Sequence, residues 1–97
     1  MDQHDTGELD RRIEEFLGQT LPERPTADLS AALKVADFME AKGYSFKMQD
    51  MCPKSLNQCL WRAVFAAEGT EFAAEDSRPA VAICAAAAAA LETNESA

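Results

Sequence analysis

The sequence predicts an α+β fold: a helix, three antiparallel strands and a closing helix (αβββα), with an additional amphipathic helix in front. Three observations carry this. Apolar residues recur at helical spacing over 6–18 and again from about residue 26 to Gly43. The period then drops from 3.6 to 2 over 44–49, 59–67 and 71–75, as a strand with one buried face requires. Finally, Asp76-Ser77-Arg78-Pro79 stops the last strand and opens an alanine-rich helix.

In the first segment Leu9, Ile13, Phe16 and Leu17 share one helical face, while Asp10, Arg11, Glu14 and Glu15 are expected to face away. Asp5 and Glu8 have the spacing of a capping box, and Gly18 is a natural stop. This apolar side must dock on its own domain, on a second copy or on a partner, and the pattern does not choose. The following residues, 19–25, hold Pro22 and Pro25 without periodicity, the signature of a linker. The chain therefore divides into an arm with linker at 1–25 and a domain at 26–97.

The second helix is expected to start at Thr26 or Asp28 and end at Gly43. Its stripe is Leu29, Ala32, Leu33, Ala36 and Met39, flanked by Val35 and Phe38, with Ser30, Lys34, Asp37 and Ala41 opposite. Tyr44, Phe46 and Met48 then alternate with Ser45, Lys47 and Gln49, giving the first strand. A loop follows at 51–58. In 59–67 both faces are apolar except at Arg62, which predicts a central strand. Glu68-Gly69-Thr70 reads as a three-residue hairpin loop, with glycine where positive φ is cheap. The hairpin would bring Phe65 and Phe72 together across the strands, a pair worth up to about 1 kcal/mol.

Ser77 or Asp76 can cap the closing helix, and Pro79 in its first turn forfeits no hydrogen bond. Ala80, Ile83, Cys84, Ala87, Ala88 and Leu91 form its core stripe; Ala82, Ala85, Ala86, Ala89 and Ala90 form the opposite side. Two readings of that side stay open. Either it is partly exposed and tolerates alanine, the best intrinsic helix former, or its small side chains admit a second helix from the arm or from another copy. A short polar tail follows Leu91.

A chain of 97 residues, 47% of them apolar, suits one small folded domain. It holds no run of about 20 apolar residues that could span a bilayer. The N-terminus is acidic and polar, unlike a secretory signal, so a soluble cytoplasmic protein is expected. Three cysteines, Cys52, Cys59 and Cys84, with no CxxC pair suit neither a disulfide framework nor a zinc site. Cys84 and Cys59 read as buried thiols and Cys52 as the accessible one. With a single histidine, His4, a Cys-His nucleophile pair is disfavoured; no cofactor, metal site or catalytic residue is expected. A net charge of −8 argues against direct nucleic-acid binding and against anionic membranes. From Glu68 onward six acidic residues face the single Arg78, with solubility as the plain explanation.

Three stretches carry a family resemblance: residues 26–35, the Trp61 strand, and 74–84 with its Asp76-Ser77-Arg78-Pro79 turn and Ala82-Ile83-Cys84. Over about residues 26–92 the chain resembles the phage ABA sandwich, a small phage and prophage domain. It departs from that pattern in having Ser77 for the threonine of the turn and an alanine run for a more mixed helix. The resemblance implies phage origin and a compact αβββα unit; with the cytoplasmic reading above, the expected compartment is the host bacterial cytoplasm. It carries over no reaction and no site residues.

The expected function is a non-catalytic interaction protein. In its concrete form it is an acidic, anti-CRISPR-like inhibitor of a host nucleic-acid-binding complex, with Glu68, Glu71, Glu75 and Asp76 occupying Arg and Lys sites meant for phosphate. The alternative is a homo-oligomeric scaffold or small-ligand module. Its self-interface would be Leu9, Ile13, Phe16 and Leu17 or the alanine side at Ala82, Ala86 and Ala89, with a ligand near Trp61 and Arg62.

Overall fold

A computed structural model describes residues 6–18, 23–50 and 60–96. The elements follow in the order α1 (Thr6–Leu17), α2 (Leu29–Ala41), β1 (Ser45–Asp50), β2 (Trp61–Ala67), β3 (Thr70–Asp76) and α3 (Pro79–Ser96). The expected α+β class holds, with the arm helix in front of the αβββα unit. His4, Asp5, Cys52, Cys59, the whole 51–58 loop and residues 19–22 of the linker lie outside the described residues.

Glycine ends both early helices by taking a conformation closed to most side chains. Gly18 sits at φ +75° and donates its N–H to the Glu14 carbonyl at 2.9 Å. Gly43, at φ +104°, closes a Schellman motif. Its N–H bonds Glu40 O at 3.0 Å and the Tyr44 N–H bonds Met39 O at 3.1 Å, satisfying carbonyls the helix leaves over. At the other end of α2, Asp28 is extended and its carboxylate accepts the Ser30 N–H at 2.8 Å.

The buried face of α2 differs from the expected stripe. Ala31, Ala32, Val35, Ala36 and Met39 are buried, whereas Leu29 and Leu33 remain 45% and 44% exposed. The small side chains Ala31, Ala32 and Ala36 are turned inward, where α2 meets α3. A hydrophobicity pattern ranks leucine above alanine; close helix approach reverses that ranking.

The sheet is antiparallel in the order β1-β2-β3, so β2 is central as expected. Phe46, Phe65 and Phe72 share one row across the strands, and Met48, Ala63 and Ala74 share the next. These residues belong to or pack against the core. The Phe46 and Phe65 rings stack with centroids 5.0 Å apart. Tyr44, just ahead of β1, meets Phe72 edge-on at 6.4 Å.

The hairpin is tighter than expected. Ala67 pairs with Thr70, leaving a two-residue loop in which Glu68 (φ 53°) and Gly69 (φ +81°) both take positive φ, the backbone demanded by a type I′ turn. The carbonyl of Arg78 accepts the Ala82 N–H at 3.0 Å at the start of α3. Asp76 supports that turn by accepting the Arg78 N–H at 2.9 Å. At its far end α3 runs through the expected polar tail to Ser96. With no glycine or proline in 92–96, extending an established helix costs little.

Helix α3 is the hub. It contacts α1, α2, β2 and β3, and from Ala80 to Leu91 every residue except Ala89 is buried. A helix apolar all round is stable only when covered all round. Here the cover comes from within the chain: Leu9 and Ile13 of the arm join the same core as Ala32, Val35, Phe65 and the alanine run.

Candidate functional site

The face of the sheet opposite the helical core is polar and mostly exposed along β1 and β3, with Val64 buried at its centre. Across that face run Ser45, Ala66 and Glu71, then Lys47, Val64 and Ala73, then Gln49, Arg62 and Glu75. Glu71 and Glu75 are exposed on β3, and Glu68 is exposed at the hairpin tip. Together they make an acidic rim along one sheet edge. Arg62 Nη1 lies 3.8 Å from Glu75 Oε2, with both side chains about two-fifths exposed, a pair worth up to about 1 kcal/mol. The buried Nε of Arg62 has no hydrogen-bond partner among the described residues.

Asp76 does not belong to this rim. As the register partner of Trp61 it projects to the opposite face and is 4% exposed. Its Oδ1 accepts both the Arg78 N–H at 2.9 Å and Arg78 Nε at 3.0 Å. The carboxylate thus holds the β3–α3 corner and is inaccessible to a partner. The acidic set is Glu68, Glu71 and Glu75.

The residues expected at a self-interface are largely internal. Ile13, Ala82 and Ala86 are fully buried and Leu9 nearly so, while Phe16 and Leu17 pack half-buried against the core. Ala89 alone of that set is exposed. The arm and the alanine side satisfy each other within one chain. Trp61 and Arg62, adjacent in a strand, point to opposite faces: Trp61 packs on the core and Arg62 pairs with Glu75. They do not converge on one ligand.

Among the described residues no group of three or more His, Cys, Asp and Glu side chains could hold a metal ion, and no helix is long and apolar enough to cross a membrane. Cys84 is buried in the core. Desolvation, and secondarily the charge of Asp10, push its thiol up to about 12 from an ordinary 9.0.

One cluster escaped the sequence pattern. Asp10, expected to face solvent, is buried. Its carboxylate accepts the Thr26 N–H at 3.1 Å, the Thr26 hydroxyl at 2.9 Å and Arg24 Nε at 2.6 Å. Its place three residues before Ile13 and seven before Leu17, at the border of the apolar stripe, was the available signal. Arg24 at one buried carboxylate and Arg78 at another flank a cavity of about 410 Å³.

Comparison with family models, with curated proteins and with solved structures gives no match. The likeness to the phage ABA sandwich rests on the residues quoted for it.

Proposed function

We propose that this protein is a non-catalytic interaction protein of phage origin that binds a basic surface through the rim formed by Glu68, Glu71 and Glu75. The observation that carries this reading is the β3 edge of the sheet with its hairpin tip, which presents three exposed carboxylates. The backbone at the tip adds support. Glutamate occupies a positive-φ position that favours glycine or asparagine, so a charge stands there at conformational cost, a pattern that concentrates at functional positions.

The partner is a host nucleic-acid-binding complex, and the carboxylates take the places of phosphates on its Arg and Lys side chains. Exposed ion pairs contribute roughly 0.2–1 kcal/mol each. The rim therefore supplies encounter rate and choice of partner more than affinity. Affinity capture from a phage-infected bacterial lysate tests this with two baits, the natural chain and the E68K/E71K/E75K variant. A nucleic-acid-binding complex retained by the natural chain, lost with the variant and displaced by added nucleic acid is the expected result. Retention that survives the triple reversal would refute the reading.

A further inference from the structure

We propose that the outer edge of β3 takes up an extended basic segment of a partner protein as a fourth, antiparallel strand. This names the kind of partner for the function proposed above and rests on that reading of the Glu68, Glu71 and Glu75 rim.

The order β1-β2-β3 gives β3 a neighbouring strand on one side only. Which of its backbone groups face outward follows from the hairpin. Ala67 and Thr70 flank the two-residue turn as register partners, and in such a hairpin the flanking pair exchanges backbone hydrogen bonds. Bonding then alternates along the ladder, so Phe72 and Ala74 aim N–H and C=O at β2, while Glu71 and Ala73 aim theirs away from the sheet. Those outward groups of Glu71 and Ala73 have no hydrogen-bond partner among the described residues. A strand laid along this edge would bond them, the main-chain mode of recognition in which side chains add the selectivity.

Edge strands are commonly guarded by proline, lysine, a bulge or short length. β3 lacks these guards: it runs seven residues, Thr70–Asp76, in unbroken register, without proline or lysine. On its core side Phe72 and Ala74 are only half-buried. Phe72 ends the row formed with Phe46 and Phe65, and an apolar side chain on an added strand would lengthen that row. On the polar face Glu71 and Glu75 stand on either side of the small Ala73, about 13 Å apart along the strand. Glu75 is shared with Arg62, so Glu71 leads.

Charge selects the occupant. Opposite charges facing each other across a strand pair attract, and like charges repel. Antiparallel pairing of β3 with a second copy over its whole length sets carboxylate against carboxylate at both Glu71 and Glu75. The other edge, β1, holds Lys47 in mid-strand on the same face and disfavours a basic strand. The segment that suits β3 therefore has two Lys or Arg residues placed to face Glu71 and Glu75, a small or polar residue midway, and apolar residues between.

The blocked peptide Thr-Lys-Val-Thr-Val-Lys-Thr, titrated into the ¹⁵N-labelled full chain and followed by NMR, is the probe. Saturable shifts centred on the Glu71 and Ala73 amides, with slowed solvent exchange at both, are expected. N-methylation separates an added strand from a simple counter-charge, because it leaves the peptide's charge unchanged. A methyl on the central threonine nitrogen, which would face Ala73, should weaken binding about tenfold or more, as loss of a backbone hydrogen bond in the ladder does. A methyl on a valine nitrogen, which would face away from β3, should leave binding nearly as it was. E71K/E75K should abolish the shifts. Three results would each overturn strand addition: no saturable binding of the unmodified peptide, equal binding of the two methylated forms, or protection of the same amides that grows with concentration of the chain alone, which would place a second copy there. The rim reading fails separately, when the lysate partner survives E68K/E71K/E75K; it stands without strand addition when that partner is lost while the methylated peptides bind alike.

Discussion

Thr26 donates both its backbone N–H and its hydroxyl to one carboxylate, that of Asp10, at 3.1 and 2.9 Å. This bond pair ties the arm to the segment entering α2, across sixteen residues of sequence. Replacing Asp10 by alanine strands a buried amide, a buried hydroxyl and Arg24. Loss of a buried, multiply bonded charge partner costs about 3 kcal/mol. Urea unfolding of Asp10→Ala should show that loss, and Thr26→Val, which keeps the amide, should lose about 1 kcal/mol.

Burial of Cys84 makes stability depend on alkaline pH. Its thiol ionises near 9.0 when unfolded and is pushed up to about 12 in the fold. Between those values the folded chain holds the extra proton, so stability falls as pH rises, by up to about 1.4 kcal/mol per pH unit. Below the window the effect vanishes. Comparing denaturant midpoints of the natural chain and Cys84→Ala across the window isolates the slope. At neutral pH, alkylation of Cys84 should require unfolding.

The alanine helix should tolerate enlargement at one position only. Ala86 is fully buried, and a leucine there must displace packed neighbours, costing about 1–3 kcal/mol or more. Ala89 is exposed, and lysine there should change stability by less than about 0.5 kcal/mol. Thermal or urea melts of Ala86→Leu and Ala89→Lys distinguish this enclosed helix from one with an open alanine side.

The hairpin tip should set stability against binding. Glu68 at φ 53° is a costly choice for a type I′ turn, and asparagine is a favoured one. Glu68→Asn should raise unfolding free energy by roughly 0.5–1 kcal/mol, measured in urea, while weakening capture of the basic partner.

Alternating residues made the sheet readable. Tyr44, Phe46 and Met48 contrast with Ser45, Lys47 and Gln49 because one face is open to water, and that contrast survives in sequence. No such contrast exists in α3, where neighbours on all sides remove the polar stripe that would report orientation. Its Ala82 and Ala86 were therefore compatible with exposure, with another copy or with the arm. Leu29 and Leu33 misled for a related reason: hydropathy weighs a side chain by its size, whereas helix approach in α2 favours Ala31 and Ala32. Of the candidate site, Glu68, Glu71 and Glu75 could be placed on the hairpin. Asp76 could not be separated from them, because a buried corner carboxylate and a surface one look alike in a one-dimensional string. Asp10 was hidden similarly, its partners Arg24 and Thr26 lying in a stretch without periodicity.

Among the described residues, the elements packed on α3 all precede it, and the contact between α1 and α3 joins segments more than sixty residues apart. Non-local closure of this kind slows folding relative to bundles of neighbouring helices. During synthesis the arm, α2 and the sheet emerge with their apolar sides waiting for an alanine rod not yet made. The nascent protein thus passes through an interval of exposed grease that a chaperone would bind, and it shuts only when the last helix arrives.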